Sequence, residues 1–80
     1  VKYTRHETAI KAFGLHLREV RKSKGLTQEQ LAFDSDLELS QISRIERGVI
    51  NTSISQVLQI AKALEVHPKE LFDLDFENRP

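Results

Sequence analysis

Cysteine is absent from this chain of 80 residues, so a disulfide framework and a thiolate metal site are both excluded. Proline and glycine are scarce, with two and three residues, which leaves little room for linkers. The chain therefore reads as a single domain over residues 1–80, since a division would leave two pieces too small to fold alone. Its core is expected over about residues 9–73, followed by an acidic tail at 74–80. No apolar run approaches the length of a membrane span, and no signal-peptide pattern opens the sequence. Repeats, low-complexity stretches and strand-type alternation are also missing.

Net charge is zero, but its distribution is not even. Residues 1–48 carry nine Lys/Arg against seven Asp/Glu, and residues 49–80 carry three against five. The densest basic stretch is Arg18, Arg21, Lys22 and Lys24, which reads as a solvated helix face with one inward residue. His6, His16 and His67 lie too far apart in sequence for short metal-ligand spacing, so no metal and no cofactor are expected. No glycine-rich phosphate loop or nucleophile elbow surrounds the serines and acids, so the chain is not expected to be an enzyme.

What the sequence does contain is helical periodicity, repeated several times. A first helix is expected from about Thr8, its candidate cap, to Lys24, with Ile10, Phe13, Leu17 and Val20 on one stripe. Gly14 inside it costs about 1 kcal/mol relative to alanine, a cost that close helix packing can offset. Gly25 fits a left-handed C-terminal cap. Thr27 with Gln30 makes a capping box for a short second helix that ends near Phe33 or Asp34 and turns Leu31 and Ala32 inward. A polar turn at 35–38 leads to a third helix, Leu39 to about Arg47, with Ile42 and Ile45 inward and Gly48 as the stop. Asn51-Thr52-Ser53 opens a fourth helix whose stripe is Ile54, Val57, Leu58, Ala61 and Leu64, expected to be core. Pro68 suits the first position of a short fifth helix carrying Leu71 and Phe72. The fold class is thus all-α, a compact five-helix bundle. Two short helices joined at a tight corner around Leu37 form a helix-turn-helix, and the second helix of such a pair can enter a DNA major groove.

Residues 13–72 resemble the Cro/phage-repressor helix-turn-helix family, the XRE regulators. The resemblance rests on Leu17-Arg18-Glu19-Val20-Arg21, Gly25-Leu26-Thr27-Gln28-Glu29-Gln30-Leu31-Ala32 and Gln41-Ile42-Ser43-Arg44-Ile45-Glu46-Arg47-Gly48. It continues through Ile60-Ala61-Lys62-Ala63-Leu64-Glu65-Val66 and Glu70-Leu71-Phe72. It implies a lambda-repressor-like domain and a transcription regulator that binds a pseudo-palindromic operator on double-stranded DNA as a homodimer. By the same resemblance Gln28 bonds a phosphate, and Leu39, Ser40, Gln41, Ser43 and Arg44 form the reading face. Gln41 would pair with adenine, Arg44 with guanine or a phosphate, and Leu39 with a thymine methyl. Arg47 and Asn51 match loop contacts to the DNA backbone, and Arg21 with Glu46 matches a buried structural ion pair.

Three positions depart from the family pattern. Asp36 stands where the corner usually has glycine, Glu38 where the next cap is Ser or Thr, and Thr52 where proline is common. Asp tolerates a left-handed backbone better than most residues, and Thr52 can cap the fourth helix. Asp34, Asp36 and Glu38 make the corner repel phosphate, so it is a candidate surface for RNA polymerase instead. Ile60, off the fourth helix's stripe, joins Leu74 and Phe76 as a candidate dimer surface. The resemblance implies a cytoplasmic, nucleoid-associated protein of bacterial or phage origin with no membrane partner. Other readings of the same fold are an antitoxin bound to a toxin, a restriction-modification controller, and a protein-interaction module with weak DNA binding.

Overall fold

The structure, a computed structural model, describes residues 5–74. It contains four α-helices, α1 (Glu7–Ser23), α2 (Gln28–Ser35), α3 (Leu39–Glu46) and α4 (Ile54–Leu64), and a 3-10 helix at Pro68–Phe72. No strand occurs among the described residues. The segment expected as a fifth helix in the bundle is this 3-10 turn. Its closing bond runs from the Glu70 N–H to the His67 carbonyl, three residues back, and five residues are too few to repay α-helix nucleation.

Capping explains where the elements start. The Thr27 hydroxyl accepts from the Gln30 N–H at 3.0 Å, while Gln30 Oε1 accepts from the Thr27 N–H at 2.8 Å. α1 starts one residue earlier than expected, and its cap is His6, whose Nδ1 accepts from the Ala9 N–H at 3.1 Å, rather than Thr8. α4 is capped by Ser53 Oγ, which accepts from the Gln56 N–H, and not by Thr52.

All four α-helices end in one way. In each, the second residue beyond the last turn donates back across the turn: Leu26 to Arg21, Leu37 to Ala32, Val49 to Arg44 and Val66 to Ala61. This is the Schellman arrangement, with an apolar residue following a left-handed one. The left-handed positions are Gly25, Asp36, Gly48 and Glu65, with φ of 73°, 59°, 70° and 58°.

The core comprises Phe13, Leu17, Leu31, Ala32, Ile42, Ile45, Val57, Ile60, Ala61, Leu64 and Leu71. Two expectations fail on α4. Ile60 is fully buried, so it belongs to the core and not to a dimer surface. Ile54 and Leu58, expected in the core, are 79% and 51% exposed. The inward face is 57, 60, 61 and 64, a helical repeat as regular as the one through 54, 57, 58 and 61. Periodicity alone does not choose between two overlapping apolar arcs on one helix. Leu74 is half-buried against the core, and Phe76 lies outside the described residues.

α3 packs on α1 and α2, α4 packs on α2, and the 3-10 helix closes against α1 and α4. Gly14 is buried where α1 meets α3: a Cβ there would collide with the Ile45 carbonyl oxygen and lie 2.7 Å from that of Glu46. The two backbones nearly touch, which is the close packing that accounts for glycine inside a helix. α3 is thereby backed by rigid structure and presents its opposite face outward.

Candidate nucleic-acid interface

The corner between α2 and α3 sets the angle of the pair. Ser35 ends α2 with its hydroxyl donating to the Leu31 carbonyl, and Gln59 of α4 donates to the Ser35 carbonyl at 3.1 Å. Asp36 then adopts φ 59°, ψ 38°, and Leu37 turns its side chain to the core. Asp34, Asp36 and Glu38 are all exposed around this turn. Phe33, on the last turn of α2, is 86% exposed beside them, a feature that no periodicity flagged.

α3 buries Ile42, Ile45 and Glu46. Leu39, Ser40 and Arg44 are exposed, and Gln41 and Ser43 are half-buried. The structure brings these five residues onto one short helix, with exposed Arg47 and Asn51 following in the loop toward α4. Two of the polar groups are already engaged. Gln41 Oε1 accepts from the Glu38 N–H at 2.9 Å, and Ser43 Oγ accepts from Arg47 Nε at 3.2 Å. Pairing Gln41 with adenine through both ends of its amide would bring a second donor to Oε1, which has two lone pairs, in competition with the cap N–H. Arg44, exposed and on the last turn, faces no such competition from a helix cap.

Gln28 opens α2. Of the four N–H groups that an α-helix leaves unpaired at its start, the capping box takes those of Thr27 and Gln30. The N–H groups of Gln28 and Glu29 remain at the positive end of the helix, an arrangement suited to an anion. The Gln28 side chain is half-buried and donates from Nε2 to Glu46 Oε1 at 2.9 Å. Sequence reasoning missed this bond; only the third helix's turn toward α2 reveals it. Glu46 is also paired with Arg21, Nε to Oε2 at 2.6 Å, with the two side chains 9% and 2% exposed. Arg18, Lys22 and Lys24 of the basic stretch are exposed.

The histidines serve as local hydrogen-bonding groups. His6 and His67 cap helix starts, and His16 Nε2 lies 2.6 Å from the Glu70 carbonyl, which obliges that nitrogen to donate. At the chain's first described turn, Arg5 holds the exposed Glu7 carboxyl below its usual pKa through a hydrogen bond.

Two short helices at a tight corner, the second outward-facing and the first with an open N-terminus, describe a helix-turn-helix. Residues 17–71 match the helix-turn-helix family. This chain belongs to that family, in its XRE-type branch. It is 48% identical over 62 residues to the control protein C.BamHI of Bacillus amyloliquefaciens, covering 76% of each chain. It is 41% identical over 63 residues to the helix-turn-helix transcriptional regulator SlrR of Bacillus subtilis, covering 78% of this chain and 41% of SlrR. Among solved structures, the restriction-modification controller protein C.AhdI from Aeromonas hydrophila superposes with a TM-score of 0.80 at 46% identity. That match covers 81% of this chain and 98% of C.AhdI. No helix among the described residues is long and apolar enough to cross a membrane.

Proposed function

We propose that this chain is a sequence-specific DNA-binding transcription regulator of the restriction-modification controller type, reading the major groove with α3. The carrying observation is the outward face of α3, with Arg44 exposed on its last turn, together with the N-terminus of α2 left open by its capping box. A major groove about 12 Å wide admits such a helix. Arg44 is assigned to a base edge, with Leu39, Ser40, Gln41 and Ser43 completing the reading face. Gln28, Arg47 and Asn51 are assigned to phosphates. The controller reading is supported by the likeness to C.BamHI and C.AhdI, each matched over most of its own length. The likeness to SlrR covers less than half of that protein and supports only the DNA-binding domain.

A domain of this size makes a small DNA interface, so the working species is a homodimer on two half-sites. Support for a dimer comes from apolar groups left outside the core: Ile54, Leu58 and Val49 are each at least half exposed. Of these, Ile54 lines a groove of about 480 Å³ together with Ile10, Phe13, Ile50, Val57, Phe72 and Leu74. Of the surface expected at Ile60, Leu74 and Phe76, Ile60 is buried in the core, while Leu74 lines this groove. The exposed Phe33 beside Asp34, Asp36 and Glu38 suits a protein partner with a basic surface, such as RNA polymerase or a toxin. Location in the cytoplasm, on the nucleoid, follows from the same reading.

Selection of bound duplexes from a random pool by the purified chain tests the proposal. The expected product is a pseudo-palindrome with half-site centres about 34 Å apart, or a multiple of that. Recovery of no motif at low salt would overturn it.

A further inference from the structure

Three helices meet at one carboxylate. Glu46, the last residue of α3, takes Arg21 Nε of α1 on Oε2 at 2.6 Å and Arg21 Nη2 on Oε1 at 3.1 Å. Gln28 Nε2 of α2 donates to the same Oε1 at 2.9 Å, and Arg21 Nη1 donates to the Leu26 carbonyl at 2.8 Å. The arginine and glutamate are buried and the glutamine is half-buried. An ion pair needs only two of these groups, so the third bond calls for its own explanation.

An ionised carboxylate only accepts hydrogen bonds, so Gln28 has to turn its amide nitrogen, not its oxygen, toward Glu46. The usual ambiguity in the orientation of an amide is thereby removed. The amide nitrogen carries two hydrogens, and Glu46 takes one. A phosphate, like a carboxylate, only accepts, so the second hydrogen is the part of this side chain that suits it. We propose that Glu46, held by Arg21, is a positioning residue for DNA binding: it fixes the Gln28 amide so that the second Nε2 hydrogen is offered to a phosphate at the N-terminus of α2. A freely rotating glutamine would lose its rotamer freedom on binding; here that ordering is done in folding. Arg21 is necessary because a bare carboxylate behind Gln28 would repel the phosphate. Since Glu46 also ends the reading helix, the same contact ties the phosphate anchor on α2 to the placement of α3.

This inference rests on the proposed DNA reading, and the test separates the two. Glu46→Ala alone would strand the Arg21 charge in the interior and disrupt the fold. The pair is instead replaced together, Arg21→Met with Glu46→Leu, since apolar groups of similar size commonly sustain the fold at such sites. Four full-length proteins are compared on the duplex selected by the wild type, with thermal melting as the control on folding: wild type, Gln28→Ala, the paired variant, and all three changes together. Gln28→Ala is expected to weaken binding about tenfold, as loss of a hydrogen bond to a charged group does. The paired variant should lose a comparable factor, and Gln28→Ala added to it should cost no more than about twofold further, the mark of coupled sites. A Gln28→Ala penalty undiminished in the paired variant would overturn the positioning role and leave the Gln28 anchor standing. No penalty in the wild type would remove that anchor and this proposal with it, while reading by Arg44 would still be decided by the selected motif.

A second measurement does not depend on the paired variant folding. In the wild type, the two Nε2 protons of Gln28 should differ by NMR. One should be slowed in exchange in the free chain, and the other only after the duplex is added. Two equally fast protons in the free chain would overturn the proposal.

Discussion

Arg44 and Arg47 are three residues apart and both exposed, yet they are assigned different work. Arg44 lies on the last turn of α3, whereas Arg47 is already the cap residue, with Nε bonded to Ser43 Oγ. A base contact discriminates; a phosphate contact does not. Arg44→Ala is therefore expected to relax the selected motif at one position in each half-site, at a cost of about 1–3 kcal/mol for the preferred base. Arg47→Ala should weaken binding evenly across sequences and lower the salt slope of log K by about one unit for each half-site. Binding isotherms on the selected duplex and on single-base variants, at several salt concentrations, separate the two. Equal losses on all duplexes for Arg44→Ala would move it to the phosphate class.

At the scale of the element, the helix ends carry the strain. Asp36 and Glu65 hold left-handed backbone at the same point of the same Schellman motif where Gly25 and Gly48 sit elsewhere. Glycine has no steric cost there, but it has more freedom to lose on folding, so the balance depends on the residue it replaces. Aspartate tolerates this conformation better than glutamate. Glu65→Gly is expected to stabilise the domain by up to about 1 kcal/mol and to do so more than Asp36→Gly, as read by chemical denaturation. Asp36→Gly should add a separate effect, tighter DNA binding at low salt, because it removes a carboxylate from the corner beside α3. A larger stability gain from Asp36→Gly would contradict this ordering.

These ends also mark what could be read in advance. Gly25, Gly48 and the Thr27–Gln30 box are local signals, because the backbone chemistry sits in the residues themselves, and they place the helix boundaries to within one or two positions. The left-handed turn at Asp36 was legible only through the resemblance, and Glu65 was not legible at all, since nothing about a glutamate announces positive φ. The α4 arc and the Gln28–Glu46 bond share another cause. Which of two apolar faces turns inward, and which partner a polar group finds, depends on neighbouring helices that sequence spacing does not locate.

For the whole molecule, α4 is the informative helix. Seven of its eleven residues are apolar, and four of them, Val57, Ile60, Ala61 and Leu64, are buried, with Ala63 partly buried against the core. Ile54 and Leu58, four positions apart, project from a common outward face, with Val49 in the loop that follows α3. A two-fold contact over this face would bring each patch against its copy. It would also set the spacing of the two reading helices, because the loop at 49–50 is continuous with the end of α3. Ile54→Lys with Leu58→Lys places charge opposite like charge across such an interface. Both sites are exposed in the single chain, so folding should change by no more than about 0.5 kcal/mol per substitution. Sedimentation should then report a monomer with unchanged helical content. Affinity for a single half-site should persist, while affinity for the full palindrome should fall toward it as the energetic link between half-sites disappears. A variant that sediments as the wild type does and still binds the palindrome at full strength would move the proposed two-fold axis off α4.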